Sequence, residues 1–163
     1  MRFRLLSDLE LKELSEDFTQ FLIVQGLDDE TWRKINKENK EKALQIVEVF
    51  SDTVFLKVYS KVQFMSFTSE QVFSIFKIKK DAIDLILLKS TDPKLVFNSS
   101  EPLESLINNS IGKWELYSSS KQLGDKVPDE VHQLTLQGCQ IESEEIWDAL
   151  SAFQKKASKK ASF

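Results

Sequence analysis

Hydrophobic positions change their spacing near residue 60, where a helical period gives way to short, continuous apolar runs. The first helical stripe consists of Leu11, Leu14, Phe18, Phe21 and Leu22. Ser7 and Glu10 stand three residues apart just before this stripe, which is the spacing of a capping box. Gly26 supplies a left-handed stop. The pattern therefore predicts a first helix from Asp8 to Gln25.

Two further helices are predicted before residue 60. Asp28 can cap a second helix that begins near Asp29. A third apolar segment runs from about Lys40 to Ser60. Its stripe steps by four, three, four and four residues, through Ala43, Val47, Phe50, Val54 and Val58. The β-branched and aromatic stretch "TVFLKVY" leaves a strand as the alternative, but the continuous stripe favours a helix that is largely buried.

The next segments have no helical period and are typical of strands. "VQFMSF", "QVFSIFKIK" and "IDLILLK" are short and rich in Phe, Ile, Leu and Val. Only "KDA" separates the second from the third, which predicts an antiparallel hairpin. The middle of "IDLILLK" is apolar on both faces, which indicates a central strand covered on both sides.

The C-terminal part mixes helices with one more strand. Ser100 and Pro102 predict a helix start that leads to a stop near Gly112. "KWELYS" predicts a fourth strand and "SSSKQLGDKVPDE" a polar loop, and two helices follow, the first over 128–137. The fold class is therefore α+β, a small antiparallel sheet of three to four strands packed against N-terminal and C-terminal helices.

Length and composition add limits to this picture. We expect a single globular domain over residues 1–154 and a Lys-rich, frayed tail over 155–163. The net charge of −4 is not that of a duplex-binding protein, which usually carries a basic domain. No signal peptide or membrane-length apolar run is visible, so we expect a cytoplasmic protein without a membrane partner.

The sequence offers no signature of a catalytic, cofactor or metal site. Four scattered glycines form neither of the phosphate-binding patterns GxGxxG and GxxxxGK followed by Ser or Thr, so no cofactor is expected. One Cys and one His cannot supply a Cys/His zinc set. His132 and Cys139 are seven residues apart, which is about 10.5 Å along a helix. We therefore interpret Cys139 as a small buried residue after a helix end and His132 as a partly exposed helix residue, more than about 6 Å apart.

A weak nucleic-acid site is one alternative. Lys77, Lys79 and Lys80 flank two aromatic residues of the hairpin, and aromatic residues beside lysines can stack bases. However, Phe73 and Phe76 differ by three positions, so a strand places them on opposite faces and they cannot share a stacking platform. Ordinary core packing is the better interpretation, and nucleic acid is an unlikely partner.

Polar or aromatic residues at unusual positions are the remaining interaction candidates. Ser51 and Asp52 interrupt the third apolar segment, either as the solvated face of a helix or as polar groups in a groove or interface. Trp114 begins the fourth strand, where a tryptophan belongs either to the core or, if exposed, to a binding surface.

Three long segments together resemble a known family. They are "RFRLLSDLELKELSEDFTQFLIVQGLDDETW", "VEVFSDTVFLKVYSKVQFM" and "LQGCQIESEEIWDAL". The pattern resembles an uncharacterised bacterial family of short cytoplasmic proteins that is known only as a domain of unknown function. The resemblance implies a bacterial, single-domain protein and brings no activity, cofactor or catalytic residue with it.

These observations predict a non-enzymatic protein-interaction or regulatory module. Its partner would be a protein, either another one or a second copy in a homodimer. One alternative is a small-ligand-binding protein or a small enzyme that uses scattered carboxylates. The other is the weak single-stranded nucleic-acid binder described above.

Overall fold

The computed structural model describes the backbone of residues 1–161 and the side chains of residues 1–156. It divides the chain into two compact units, Met1–Tyr59 and a second unit that begins at Ser60. The single domain predicted over 1–154 stays a prediction. The predicted frayed tail, 155–163, overlaps the last helix, which extends to Ala161, and its final two residues lie outside the described part.

The described part of unit 1 consists of helices and their connections. These are α1 (Asp8–Glu13), α2 (Ser15–Val24), α3 (Asp29–Glu38) and α4 (Lys40–Tyr59). The helix over Lys40–Tyr59 and the Asp28 cap of α3 are as predicted, with the Asp28 carboxylate accepting a hydrogen bond from the Thr31 amide at 2.7 Å. The prediction that α4 is largely buried is wrong, because only five of its 20 residues are buried and Val58 of the predicted stripe is 48% exposed.

The prediction of one helix from Asp8 to Gln25 is wrong, because the helix breaks at Leu14. This residue ends α1 and starts α2, with φ −96° and ψ 20°. The break leaves the hydrogen-bonding pattern nearly continuous, since the Leu14 amide donates to Glu10 and its carbonyl accepts from Phe18. A hydrophobic stripe carries no signal for a one-residue break of this kind.

Aromatic side chains form the centre of unit 1. The Phe18 ring lies 5.1 Å from the Trp32 ring and 4.9 Å from the Phe50 ring, measured between centroids. The Phe21 ring lies 5.3 Å from that of Phe50. Side chains from α2, α3 and α4 therefore meet around Phe50, which is only 3% exposed.

Unit 2 contains an antiparallel sheet of five strands in the order β4-β3-β2-β1-β5. The strands are β1 (Phe64–Thr68), β2 (Val72–Ile78), β3 (Ala82–Ser90), β4 (Trp114–Gln122) and β5 (Gln140–Ile141). The helices are α5 (Leu103–Asn109), α6 (Val127–Leu136) and α7 (Glu144–Ala161), and a 3-10 turn spans Gly124–Lys126. The α+β class, the antiparallel sheet and the helices at both ends of the sequence are confirmed.

The predicted number of strands, three to four, is slightly too low. Strand β5 is only two residues long and is too short to give a sequence signal. Strand β4 is longer than predicted, since it continues through "SSSKQ", which we interpreted as a loop. The serines of this stretch stay in the strand because each residue from Trp114 to Gln122 is paired with β3.

One face of the sheet forms the core of unit 2. Phe73 and Ile75 of β2 stand opposite Leu88 and Ile86 of β3 on this core face. A buried cluster joins them to residues outside the sheet, namely Leu95, Phe97, Leu106, Ile107 and Leu150. Helices α5 and α7 therefore cover the core face. Strand β3 is central in the sheet as predicted, but Leu85 and Leu87 on its other face are only half-buried, so the predicted cover on both sides is incomplete.

Two details at helix ends differ from expectation. Ser100 does not cap α5, because that helix begins after Pro102 without a side-chain cap. His132 is buried at 8% exposure instead of partly exposed. The predicted end of α6 at Gly138 is confirmed: Gly138 has φ +90°, and the amides of Gly138 and Cys139 donate back to Thr135 and Leu134. These paired bonds reverse the chain so that Cys139 is buried beyond the helix.

Leu150 provides a test of the core of unit 2, because it is fully buried in the cluster over the sheet. We expect Leu150→Ala to lower the free energy of unfolding by about 2–5 kcal/mol, since it removes apolar burial and leaves a cavity. The control is Leu136→Ala in α6, where the side chain is 65% exposed and a change of about 0.5 kcal/mol or less is expected. Urea unfolding measures both, and equal losses would contradict this core.

Candidate interaction surface

The edge of the sheet formed by β4 is the most open stretch of regular backbone in unit 2. Seven of the nine residues from Trp114 to Gln122 are exposed, and Trp114 and Leu116 are half-buried. At the other edge, the two-residue β5 covers β1 at Met65 and Ser66. The sheet therefore has one long open edge.

Hydrogen-bond parity identifies which backbone groups of β4 point outward. The Thr91 amide donates to Lys113, and the Leu123 amide donates to Asp81, so odd-numbered residues of this segment bond toward β3. Antiparallel strands alternate their bonding direction at each residue. Leu116, Ser118 and Ser120 therefore direct their N–H and C=O groups away from the sheet. No backbone bond within the described chain uses these groups.

The usual protection of an exposed edge is weak in β4. Native proteins protect edges with proline, bulges, charged side chains or a covering helix or loop. The segment "WELYSSSKQ" has no proline or glycine, and its pairing with β3 is continuous over nine residues. Its one lysine, Lys121, forms an ion pair with Glu130 at 3.0 Å. The edge is thus straight, polar and accessible to another strand.

The charged side chains of β4 and its tyrosine lie on the face opposite the core face. Glu115, Tyr117 and Lys121 alternate with the residues that point toward the core face. The Tyr117 hydroxyl donates to the Glu115 carboxylate, which raises the pKa of Tyr117. Tyr117 is 51% exposed. The strand therefore presents an acidic residue near its start and a basic residue near its end.

Trp114 packs inside unit 2. The sequence allowed either a core position or an exposed binding surface for this residue, and its position agrees with the first. Its indole Nε1–H donates to the carbonyl of Ile107 at 3.2 Å, and its ring meets the Phe153 ring edge-on at 5.6 Å. The side chain is half-buried. Trp114 thus fixes the start of β4 against α5 and α7, and its role in an interaction stays a prediction.

Serines of β4 are functional candidates that the sequence did not identify. Ser118 Oγ accepts a hydrogen bond from Gln154 at 2.9 Å, and Ser120 donates to Asp84 at 2.6 Å. Their side chains are tied to the core face while their backbone groups point outward. A run of serines usually indicates a loop, and only the pairing with β3 reveals it as an edge.

The three lysines of the hairpin have different surroundings. Lys79 pairs with Asp84, and although burial raises the pKa of that carboxyl, the bonds from Lys79 and Ser120 lower it overall. The Lys77 ammonium lies 5.9 Å from the Phe64 ring centre and 5.8 Å from that of Trp147. Lys80 is exposed in the turn between β2 and β3.

Ser51 and Asp52 bind the N-terminal segment, which is residues 1–7, to α4 in unit 1. Ser51 is fully buried, so the interpretation of this residue as part of a solvated face is wrong. Its hydroxyl accepts from the Leu6 amide at 3.1 Å and donates to Val47 at 2.7 Å. Asp52 accepts from the Arg2 and Phe3 amides at 2.6 and 2.9 Å. The two polar residues that interrupt the apolar stripe of α4 thus bind the chain's own backbone.

Arg4 and Glu10 stabilise the same segment. The Arg4 guanidinium donates two bonds to the Glu10 carboxylate, at 2.7 and 2.8 Å, and lies 4.5 Å from the Phe55 ring centre. Glu10 also accepts from the Ser7 amide at 2.8 Å, which completes the predicted capping box. The Arg4 bond, followed by the Ser7 amide, lowers the pKa of Glu10 to about 2.

Unit 2 has several partly open grooves. One, of about 340 Å³, lies beside β4 and is lined by Ser118, Ser119, Ser120, Trp147 and Gln154 among others. A second, of about 210 Å³, contains Asp92. The Lys94 amide and the Lys113 ammonium lower the pKa of Asp92, which favours a structural ion pair over a general acid.

Other chemistry is sparse in the described part. Cys139 is buried, and burial raises the pKa of its thiol, which opposes a nucleophilic thiolate. Among the described residues, no group of three or more His, Cys, Asp or Glu could hold a metal ion. Residues 1–161 include no helix long and apolar enough to cross a membrane.

Ser51→Ala tests whether the Ser51 hydroxyl holds the N-terminal segment against α4. The change leaves the buried Leu6 amide without its acceptor, so the free energy of unfolding should fall by about 1–3 kcal/mol. The matched control is Thr53→Ala, because Thr53 is exposed and its hydroxyl bonds only the Val49 carbonyl of its own helix. Urea unfolding should give a larger loss of free energy of unfolding for Ser51→Ala than for Thr53→Ala. Equal losses would contradict a stabilising role for the hydrogen bond between the Leu6 amide and Ser51.

The Arg4–Glu10 pair predicts a specific dependence on pH. Because the folded pKa of Glu10 is about 2, its ionised form stabilises the fold above the ordinary value of 4.5, and this contribution is lost as pH falls through about 2. NMR titration of the Glu10 carboxyl should give a midpoint near 2. In Arg4→Gln the midpoint should rise toward 4.5, and an unchanged midpoint would refute the pairing.

Comparison with known proteins places the chain in a family without assigning it an activity. No curated protein matches the sequence, and no solved structure matches the fold. Residues 1–155 match the model of a family described as a family of unknown function, DUF6495. This match spans both units, from the N-terminal segment to the middle of α7. The chain therefore belongs to DUF6495, a family of unknown function.

Proposed function

We propose that the protein is a non-enzymatic protein-interaction module of the bacterial cytoplasm, which binds its partner by adding a strand to its sheet along β4. The observation that carries this proposal is the open row of outward N–H and C=O groups at Leu116, Ser118 and Ser120. Such a row binds an extended chain through backbone hydrogen bonds, and alternate side chains supply specificity.

The surroundings of β4 support this role. The strand is anchored at its start by Trp114, and its serines are tied to Gln154 and Asp84, so the edge is held in the extended form before a partner arrives. A preformed edge reduces the conformational entropy that binding must overcome. The strand is also polar enough to remain exposed, because only Leu116 and Tyr117 contribute aliphatic or phenolic surface between Trp114 and Gln122.

Ser118→Pro tests the proposed function. Proline removes the Ser118 N–H, which points outward and is not part of the ladder with β3, and its ring obstructs an added strand. We expect a tagged wild-type chain to retain a specific protein from bacterial lysate, or a second copy of itself, and Ser118→Pro to lose at least tenfold of that recovery.

Ser118→Ala is the matched control, since it keeps the backbone donor and loses only the hydroxyl. Circular dichroism and thermal melting should show that both variants fold. Equal recovery by the proline and alanine variants would overturn the proposed use of this edge.

A further inference from the structure

Two antiparallel copies of β4 related by a twofold axis are complementary in register and charge, and we propose that the strand bound at this edge is β4 of a second copy. This inference rests on the proposed function and specifies its partner. It predicts a continuous ten-stranded antiparallel sheet, with five strands from each protomer, in which Ser118 of one protomer lies directly opposite Ser118 of the other.

Backbone parity restricts the possible registers. The outward groups belong to the even-numbered residues, so an antiparallel partner must also present even-numbered residues to them. In the register centred on Ser118, Leu116 stands opposite Ser120 of the second copy, and Trp114 stands opposite Gln122. Ser118 is also the midpoint of Trp114–Gln122, so this register pairs the entire strand.

Charge selects the same register independently. A centre at Ser118 places Glu115 opposite Lys121 of the other protomer, and the twofold axis creates this pair twice. Both residues lie on the face opposite the core face, at positions where antiparallel side chains approach most closely. Moving the centre by one residue to 117 or 119 separates Glu115 from Lys121 and leaves strand residues unpaired.

The interface is chemically suited to reversible self-association. The five facing even-numbered pairs can exchange about ten backbone hydrogen bonds. The central side chains are small serines, so no bulky group obstructs close approach of the two strands. Tyr117 stands opposite Ser119 of the second copy and would cover backbone that is now open to solvent.

A charge exchange tests the register. Sedimentation of the full chain between about 1 and 500 μM at low salt should show its mass rise from 18.8 kDa toward twice that value. Glu115→Lys makes two like-charged pairs and should weaken dimerisation roughly tenfold or more. Adding Lys121→Glu in the same chain restores two opposite-charge pairs and should recover part of the affinity, because it also removes the ion pair between Lys121 and Glu130.

Cysteine cross-linking tests the geometry directly. In a Cys139→Ala background, Ser118→Cys places two thiols on facing residues with Cα atoms about 5.5 Å apart, within the range of a disulfide. Mild oxidation should give a covalent dimer. The matched control is Ser119→Cys in the same background, because this neighbouring exposed serine faces Tyr117 of the second copy and should cross-link far more slowly.

The outcomes separate this inference from the proposed function. A wild-type chain that stays monomeric at 500 μM, or a dimer unaffected by Glu115→Lys, overturns the self-pairing. If a monomeric chain still retains another protein in a Ser118→Pro-sensitive manner, the module stands and its partner is different. If neither self-association nor Ser118→Pro-sensitive capture occurs, both proposals fail.

Discussion

Backbone pairing on both sides of β3 is the interaction on which unit 2 depends. Strand β3 bonds along its length to β2 and β4, and its side chains supply Ile86 and Leu88 to the core face. Helices α5 and α7 then bury that face. An antiparallel sheet must also end somewhere, and the strand that completes the pairing of β3 leaves its own outer amides unpaired. The candidate interaction surface is therefore a direct result of how the sheet is closed.

The sequence predicted those elements in which local pattern and tertiary environment agree. The stripe of α4, the hairpin of β2 and β3, and the stop at Gly138 all have strong local signals, and all three are present. Leu14 shows the limit of this approach, because a helix can be interrupted at one residue without interrupting its apolar spacing. The two residues of β5 likewise owe their conformation to the neighbouring β1.

The candidate site was harder to predict, because it depends on pairing partners that are distant in sequence. "SSSKQ" has the composition of a loop and becomes a strand through its ladder with β3, some 30 to 40 residues earlier. Ser51 is a second case: a serine in an apolar helix suggests a solvent-facing position, yet it is buried and bound to the Leu6 amide. In both cases a polar residue satisfies backbone groups that only the folded chain brings near.

The predicted interaction residues have separate local partners. Asp52 binds backbone amides, Trp114 bonds to Ile107, and Lys79 pairs with Asp84. Each contact stabilises a particular segment.

The long separation between β3 and β4 also has a consequence for the order of folding. The hairpin of β2 and β3 closes through a short turn, whereas β4 must return from beyond α5. Local contacts form sooner than distant ones, because closing a longer loop costs more entropy. Until β4 docks, the apolar strand β3 is an open edge of the sheet and is vulnerable to aggregation. When the serine-rich β4 pairs with β3, a polar edge replaces the apolar one. The pairing of β4 therefore protects β3 from intermolecular strand pairing during folding.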